Sequence, residues 1–555
     1  MTRSSRTVPF AITLDVGSSR ANKTGTWRTE RPVYRSLLPP CNSACPAGEN
    51  IQQWLYHAEE GDAGYEAAWR QIMTDNPFPA IMGRVCYRPC ETACNRGQLD
   101  TAVGINSVER FLGDEAIKRG WQVPVDAAPT GKRVLVVGAG PSGLSAAYHL
   151  TRLGHAVTVM DAGSEPGGMM RYGIPKYRLP RDILDAEIAR VVVMGVDLRL
   201  GTPVTGLLDA MRSGGFDAAF IACGAHIGKR TYIPAGDSAR ILDAVSLLRT
   251  VSSELGSGTT PPMLGRRVAV YGGGNTAMDA ARTARRLGAD EALIVYRRDR
   301  AHMPAHDFEA DEALSEGVKI KWLTTIQEIV GPTLTVERMT LDDKGRPQPT
   351  GELETLEADT VVLALGQDSD SGFLRNVPGV AFKWDTVVVD RQMMTGHPGL
   401  FAGGDMVPAE RTVTVAVGHG KKAAHCIDAW LRGMTYDKPP SSPIVTFDML
   451  HLPVFSDVDP SVQRHLADTA RLSGFDEVLA GLRETEARHE AQRCLSCGNC
   501  FECDNCYAAC PEQAIAKLGP RAGYSVDAAK CTGCGACFEQ CPCHAIEMVG
   551  EAAQE

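Results

Sequence analysis

The stretch "KRVLVVGAGPSGLSAAYHLTRLGHAVTVMD", residues 132 to 161, decides the fold of the middle of this 555-residue chain. Val134 to Val137 form an apolar run suited to a strand. They lead into Gly138-x-Gly140-x-x-Gly143, then an Ala-rich helical run, then a second apolar run ending at Asp161. Gly138 allows the tight turn. Gly140 lets the backbone approach a pyrophosphate, and Gly143 lets helix and strand pack closely. The helix N-terminus stabilises phosphate charge through its free N–H groups and its dipole. Asp161 lies 18 residues past Gly143 (161 minus 143), placed to bond a ribose hydroxyl. A bare glycine triplet carries little information. With strand, helix and acid in register, the stretch reads as a dinucleotide site.

The pattern occurs a second time. "RRVAVYGGGNTAMDAARTARRLGADEALIVYRR", residues 266 to 298, has Gly272-x-Gly274-x-x-Ala277 after a strand, with Asn275 and Thr276 opening the helix. No acid ends its second strand. Arg297 and Arg298 stand there instead. Arginine suits a 2′-phosphate, so this site is expected to take NADPH in preference to NADH. Solvated surface charge is the alternative reading of the pair. From about residue 130 to 435, β-branched runs alternate with Ala-rich helical runs, the pattern of parallel-sheet α/β structure.

Composition bounds the rest. Charged residues are 22%, hydrophobic ones 44%, and the net charge is −10, which argues against nucleic-acid or anionic-membrane partners. No apolar run approaches the roughly 18 residues of a membrane span. The N-terminal "MTRSSRTVPFAITLDVG" has a short apolar run that stops at Asp15, so it reads as a strand or extension rather than a leader. The chain is expected to be cytoplasmic.

There are 18 cysteines, and all but Cys223, Cys426 and Cys543 lie in clustered motifs. In an intracellular chain such clusters point to metal binding rather than disulfides. Cys223 and Cys426 cannot form a CxxC redox pair and read as buried structural thiols. Cys543 has no assigned role. Cys500 to Pro511 and Cys531 to Pro542 each complete the iron–sulfur run C-x2-C-x2-C-x3-C-P.

Two dinucleotide sites in one chain suggest a flavin and a nicotinamide, and a third piece bears on the flavin: "LFAGGDMVPAERTVTVAVGHGKKAA", residues 400 to 424. It resembles the second FAD motif of pyridine-nucleotide–disulfide-type oxidoreductases. That resemblance implies that Gly404 and Asp405 sit at the flavin ribityl chain. It also implies that a helix starting near Thr412 faces the flavin pyrimidine ring with its positive end. "VVLALGQ", residues 361 to 367, resembles the crossing back from a nicotinamide domain to a flavin domain. The nicotinamide domain is therefore expected as an insertion within a split FAD domain.

A closer resemblance covers residues 31 to 435. "CNSACPAGENIQQW", "DNPFPAIMGRVCYRPCETACNRG", "INSVERFLGD", "GGMMRYGIPKYRLP" and "GGGNTAMDAARTA" resemble the small subunit of NADPH-dependent glutamate synthase. They resemble equally the flavin subunit of NADH-dependent ferredoxin:NADP transhydrogenase and the first half of dihydropyrimidine dehydrogenase. Gly168, in the fourth motif, is thereby placed at the FAD. The tail resembles a two-cluster bacterial ferredoxin, which glutamate synthase small subunits do not normally carry. In such ferredoxins the fourth cysteine of each run serves the other cluster. That implies one set of Cys500, Cys503, Cys506 and Cys541, and another of Cys531, Cys534, Cys537 and Cys510.

The resemblance also implies two N-terminal clusters. The inner one is expected to take Cys45, Cys86, Cys90 and the carboxylate of Glu109. The family's N-terminal motif runs R-C-L-x-C before C-x3-C-P, but here Val33 and Ser36 replace its first two cysteines and only Cys41 and Cys45 remain. "RCLSC" appears instead at residues 493 to 497. The half-motif is inferred to have moved, so that Cys494 and Cys497 join Cys41 and Cys94 in an outer cluster, within one chain or across a dimer.

The expected fold is thus α/β. Residues 1–30 are an extension and 31–125 a helical iron–sulfur domain. Residues 126–260 and 368–435 form a Rossmann-like FAD domain around an NAD(P)H domain at 261–367. Residues 436–490 are a linker that opens on "YDKPPSSP" and continues as amphipathic helix. Residues 491–555 form an α+β ferredoxin-like domain. The expected function is electron transfer between NADPH and a one-electron acceptor through FAD and four [4Fe–4S] clusters, with no general acid–base pair. The expected partner is ferredoxin or a catalytic oxidoreductase subunit in a hetero-oligomer, a homodimeric core being left open. The alternative is the electron-input subunit of glutamate synthase or of a 2-oxoacid:ferredoxin-type complex.

Overall fold

Two five-stranded parallel sheets form the centre of the molecule, a computed structural model that describes residues 28–229, 231–235, 240–257, 262–452 and 455–551. The first sheet has the order Leu400–Ala402, Ala218–Ile221, Arg133–Val137, Ala156–Met160, Asp197–Arg199. Val134, Leu135 and Val136 are fully buried, as a parallel strand covered on both faces requires. Leu400–Ala402 pairs with Ala218–Ile221, so residues from either side of the second sheet share the first. The FAD-type domain is therefore split.

The second sheet has the order Lys319–Lys321, Glu291–Val295, Arg267–Tyr271, Thr360–Leu363, Ile241–Asp243. Its edge strand Ile241–Asp243 pairs with Thr360–Leu363, so this sheet begins upstream of residue 261, where the sequence placed its start. A two-stranded link, Ile227–Gly228 with Gln367–Asp368, carries the chain out and back between the two sheets. A three-stranded antiparallel sheet over residues 324–357 is appended to the second domain.

The N-terminal domain is helical. Helix Ile105–Arg119 packs on Pro79–Val85 at glycine contacts: a Cβ on Gly83 would lie 2.4 Å from the Arg110 Cα, and one on Gly113 would lie 2.2 Å from the Ala80 nitrogen. Glu187, from the flavin domain, accepts the backbone N–H groups of Ala80 and Ile81 and so caps helix Pro79–Val85. Burial pushes that carboxyl up to about 7.

Residues 436–490 differ from expectation. They run mostly as irregular chain, with short helices Asp468–Ser473 and Glu484–Gln492. This segment is held by side chains of the N-terminal domain: Arg84 donates to Glu477 at 2.7 Å and Arg110 to the Leu479 carbonyl at 2.7 Å. Arg110 thereby satisfies one backbone carbonyl of the segment, while Arg84 pairs with a side chain.

The C-terminal domain has one strand the sequence did not assign to it. Glu30–Tyr34 pairs antiparallel with Ile546–Gly550. Of the extension read at residues 1–30, residues 1–27 lie outside the described residues. No helix among the described residues is long and apolar enough to cross a membrane.

Candidate functional site

A cavity of about 1040 Å³ opens between the two sheets, lined by both glycine motifs. Gly138 has φ 111°, and a Cβ there would lie 2.4 Å from the Ala222 carbonyl oxygen. A Cβ on Gly143 would lie 1.9 Å from the Gly138 oxygen. Gly140 faces the cavity with only the Gly168 Cα near its would-be Cβ, at 3.9 Å. These are the tight turn, the close packing and the open cradle that a pyrophosphate needs. Asp161 lines the cavity, and its carboxylate accepts the N–H groups of Ala139 and Gly163, both at 2.6 Å. It thus holds the turn as well as facing the space where a ribose would lie.

Gly404 and Asp405 also line the cavity, and a Cβ on Gly404 would lie 3.0 Å from the Ser142 Cβ. Burial pushes the Asp405 carboxyl up to about 6. Thr412 caps helix Val413–Leu431 by accepting the Val415 N–H at 3.2 Å. That helix end points into the cavity through Val413 and Ala416.

In the second motif Gly272 has φ 146°, and a Cβ would lie 2.2 Å from the Ala364 oxygen. Gly274 opens on free space, Ala277 is fully buried, and Asn275 and Thr276 line the cavity. Arg297 is exposed and Arg298 half-buried, both past the end of strand Glu291–Val295. Neither lines the large cavity. The Arg298 Nε is buried without a hydrogen-bond partner.

The cysteines fall around smaller voids. Cys45, Cys86, Cys90 and Glu109 line one, together with Glu49 and Thr414. Thr414 donates to the Cys86 Sγ at 3.1 Å. It belongs to the same helix turn that faces the large cavity. Likewise Val85 and Tyr87 line the cavity while Cys86, between them, lines the void. Glu109 is buried, and burial raises its carboxyl well above the usual carboxylate range. Asn76 donates to Glu109 at 2.8 Å and to Glu49 at 3.0 Å. Glu49 and Asn76 lie within the N-terminal motifs, but nothing in their spacing marks them.

Cys41, Cys94, Cys494 and Cys497 line a second void. Ile105 lies in the walls of both voids. The two halves meet within one chain: the Asn95 amide approaches the Cys497 Sγ at 3.5 Å across 402 residues of sequence. Arg493, 2% exposed, anchors the returning segment by bonds to Asp100, Glu490 and the Thr101 carbonyl.

Cys510, Cys531, Cys534 and Cys537 line a third void. Cys500, Cys503, Cys506 and Cys541 form the remaining group; burial and the proximity of the other three raise the Cys500 thiol to about 11. All 18 cysteines are free thiols. Among the described residues no three Cys, His, Asp or Glu side chains converge on a single metal ion. Thiols spread around a small void fit a polynuclear cluster. Burial raises the Cys41, Cys45 and Cys90 thiols well above their ordinary range, so ionising them together needs bound positive charge.

One of the isolated cysteines differs from expectation. Cys426 is buried in the core, but Cys223 lies at the wall of the large cavity, where strand Ala218–Ile221 ends. Cys543, 2% exposed, packs against Cys541, with the sulfurs 3.8 Å apart.

Residues 132–420 match the pyridine nucleotide-disulphide oxidoreductase family. The chain belongs to that family. Residues 30–121 of this oxidoreductase match the dihydropyrimidine dehydrogenase domain II, 4Fe-4S cluster family, and residues 499–545 match the 4Fe-4S dicluster domain. It is 36% identical over 512 residues to the beta subunit of NADP(+)-dependent formate dehydrogenase from Moorella thermoacetica, covering 83% of this chain and 71% of that one. It is 32% identical over 516 residues to an NADPH-Fe(3+) oxidoreductase beta subunit from Geobacter sulfurreducens, covering 82% and 75%. The glutamate synthase [NADPH] small chain of Escherichia coli is 32% identical over 421 residues, covering 71% and 89%. The chain is therefore a pyridine-nucleotide-dependent electron-transfer oxidoreductase of FAD and iron–sulfur type.

Proposed function

We propose that this chain exchanges electrons between NADPH and a one-electron acceptor on a partner subunit, and that it holds one FAD and four [4Fe–4S] clusters to do so. When bound, a flavin supplies the conversion between a hydride pair and single electrons. The chain's own residues position everything else. Gly138, Gly140 and Gly143 seat one pyrophosphate, with Gly168 closing the cradle and Asp161 facing the ribose. Asp405 faces the flavin's chain, and the end of helix Val413–Leu431 faces the flavin ring with its positive dipole. Gly272, Gly274, Asn275, Thr276 and Ala277 seat the nicotinamide nucleotide. Arg297 and Arg298 favour a 2′-phosphate.

The four cysteine sets described above hold the clusters, with Glu109 as the carboxylate ligand of the inner one. Relatives named as beta subunits support a partner chain rather than a lone enzyme. The observation that carries this reading is the void shared by Cys41, Cys94, Cys494 and Cys497, because it joins the N-terminal clusters to the ferredoxin tail. Iron analysis should find about 16 iron atoms per chain, four per cubane, and about 12 in the Cys494→Ala/Cys497→Ala variant. An unchanged iron content in that variant would refute the relocated ligand pair.

A further inference from the structure

The strand Glu30–Tyr34 reaches the ferredoxin domain from the opposite end of the chain, and it brings one polar side chain to a cysteine. The Tyr34 hydroxyl lies 3.1 Å from the Cys506 Sγ, 472 residues away in sequence. Its ring stacks on Tyr524, with centroids 6.0 Å apart and planes at 21°. Tyr524 is itself fixed, donating to Asp504 at 2.7 Å and accepting the Asp504 N–H at 3.1 Å. The strand is registered, Tyr34 opposite Ile546 and Glu30 opposite Gly550. The hydroxyl is thus held in place from two sides.

The two cysteine runs repeat one backbone feature. Ala514 N–H donates to the Cys510 Sγ, and Ala545 N–H donates to the Cys541 Sγ, both at 3.2 Å. Tyr34 breaks that symmetry. It serves only the set of Cys500, Cys503, Cys506 and Cys541. A cluster-bound thiolate carries no proton to give, whereas a hydroxyl does. Tyr34 is therefore the donor. A hydrogen bond to a ligating sulfur stabilises the more negative, reduced cluster and raises its potential.

We propose that Tyr34 is a redox-tuning residue for the cluster held by Cys500, Cys503, Cys506 and Cys541, raising its potential through a hydrogen bond to the Cys506 sulfur. This rests on the ligand sets proposed above. The strand that carries Tyr34 is thereby more than an edge strand: it makes this cluster a more favourable stop for an electron at the junction with the N-terminal domain.

The test is a redox titration of the full chain, followed by electron paramagnetic resonance, in wild type and Tyr34→Phe. Phenylalanine keeps the ring stack on Tyr524 and removes only the donor. One cluster signal should become harder to reduce by several-fold up to about tenfold, a tenfold change being about 59 mV for one electron. The other signals and the iron content should not move. Unchanged potentials with full iron would overturn the proposal. Loss of a cluster's iron in Tyr34→Phe would overturn it too, since Tyr34 would then be a structural residue. A parallel Cys506→Ala variant separates the two levels of inference. It should abolish or transform the same signal that Tyr34→Phe shifts. If that signal survives intact in Cys506→Ala, the ligand set is wrong, whatever Tyr34 does.

Discussion

The two N-terminal cysteine sets share a wall at Ile105 yet are built in different ways. Cys45, Cys86, Cys90 and Glu109 all come from one helical domain within the first 109 residues. Cys41, Cys94, Cys494 and Cys497 come from both ends of the chain. The inner set needs only its own domain to be folded. The outer set cannot form until the last quarter of the chain has returned, and Arg493 and the 436–490 segment hold it there. The difference shows how one fold keeps a local site beside a site whose integrity reports the closure of the whole molecule.

The harshest way to break this comparison is to delete residues 491–555. The outer site should be lost along with both tail clusters, leaving about 4 of about 16 iron atoms, all in the inner cluster. A chain that keeps about 8 would show that the outer cluster does not depend on the tail. Glu109→Ala sharpens the contrast from the other side. It should cost the inner cluster, or change its spectrum, while the three others persist. Full retention of iron and an unaltered inner signal would remove Glu109 from the ligand set. Glu109→Gln, which keeps an oxygen donor, should be milder.

The smallest expected effect lies in the second sheet, remote from both sets. Replacing Arg297 and Arg298 with alanine should raise the KM for NADPH about tenfold or more, since a hydrogen bond to a charged group contributes about 1.5–3 kcal/mol. The KM for NADH should stay as it was. Equal effects on both nucleotides would mean that the arginines do not read the 2′-phosphate.

Legibility followed the same division. Gly138, Gly143 and Gly272 were readable because each meets a backbone carbonyl within its own βαβ unit, or one strand away. The ferredoxin runs were readable because their ligands recur at fixed short spacing. Glu49 and Asn76 were not readable, although both sit inside quoted motifs. Their roles depend on burial beside Glu109, which no spacing encodes. Past its Pro/Ser-rich opening the 436–490 segment is helical only in short pieces, and the side chains that hold it, Arg84 and Arg110, come from some 370 to 390 residues away.

The sequence by itself determined the two dinucleotide units, the inserted order of the domains, the cysteine runs and the presence at residues 493–497 of the RCLSC that the N-terminal motif lacks. All of these are local patterns, since turn geometry and cluster binding act over a few residues. Only the tertiary structure decided that Cys41, Cys94, Cys494 and Cys497 face one void within one chain. It alone placed Thr414, from the helix turn that faces the large cavity, against Cys86 of the inner set, and it alone brought Tyr34 to Cys506. The physical reason is that side chains distant in sequence meet only when burial of the helical core and pairing of Glu30–Tyr34 with Ile546–Gly550 close the chain on itself.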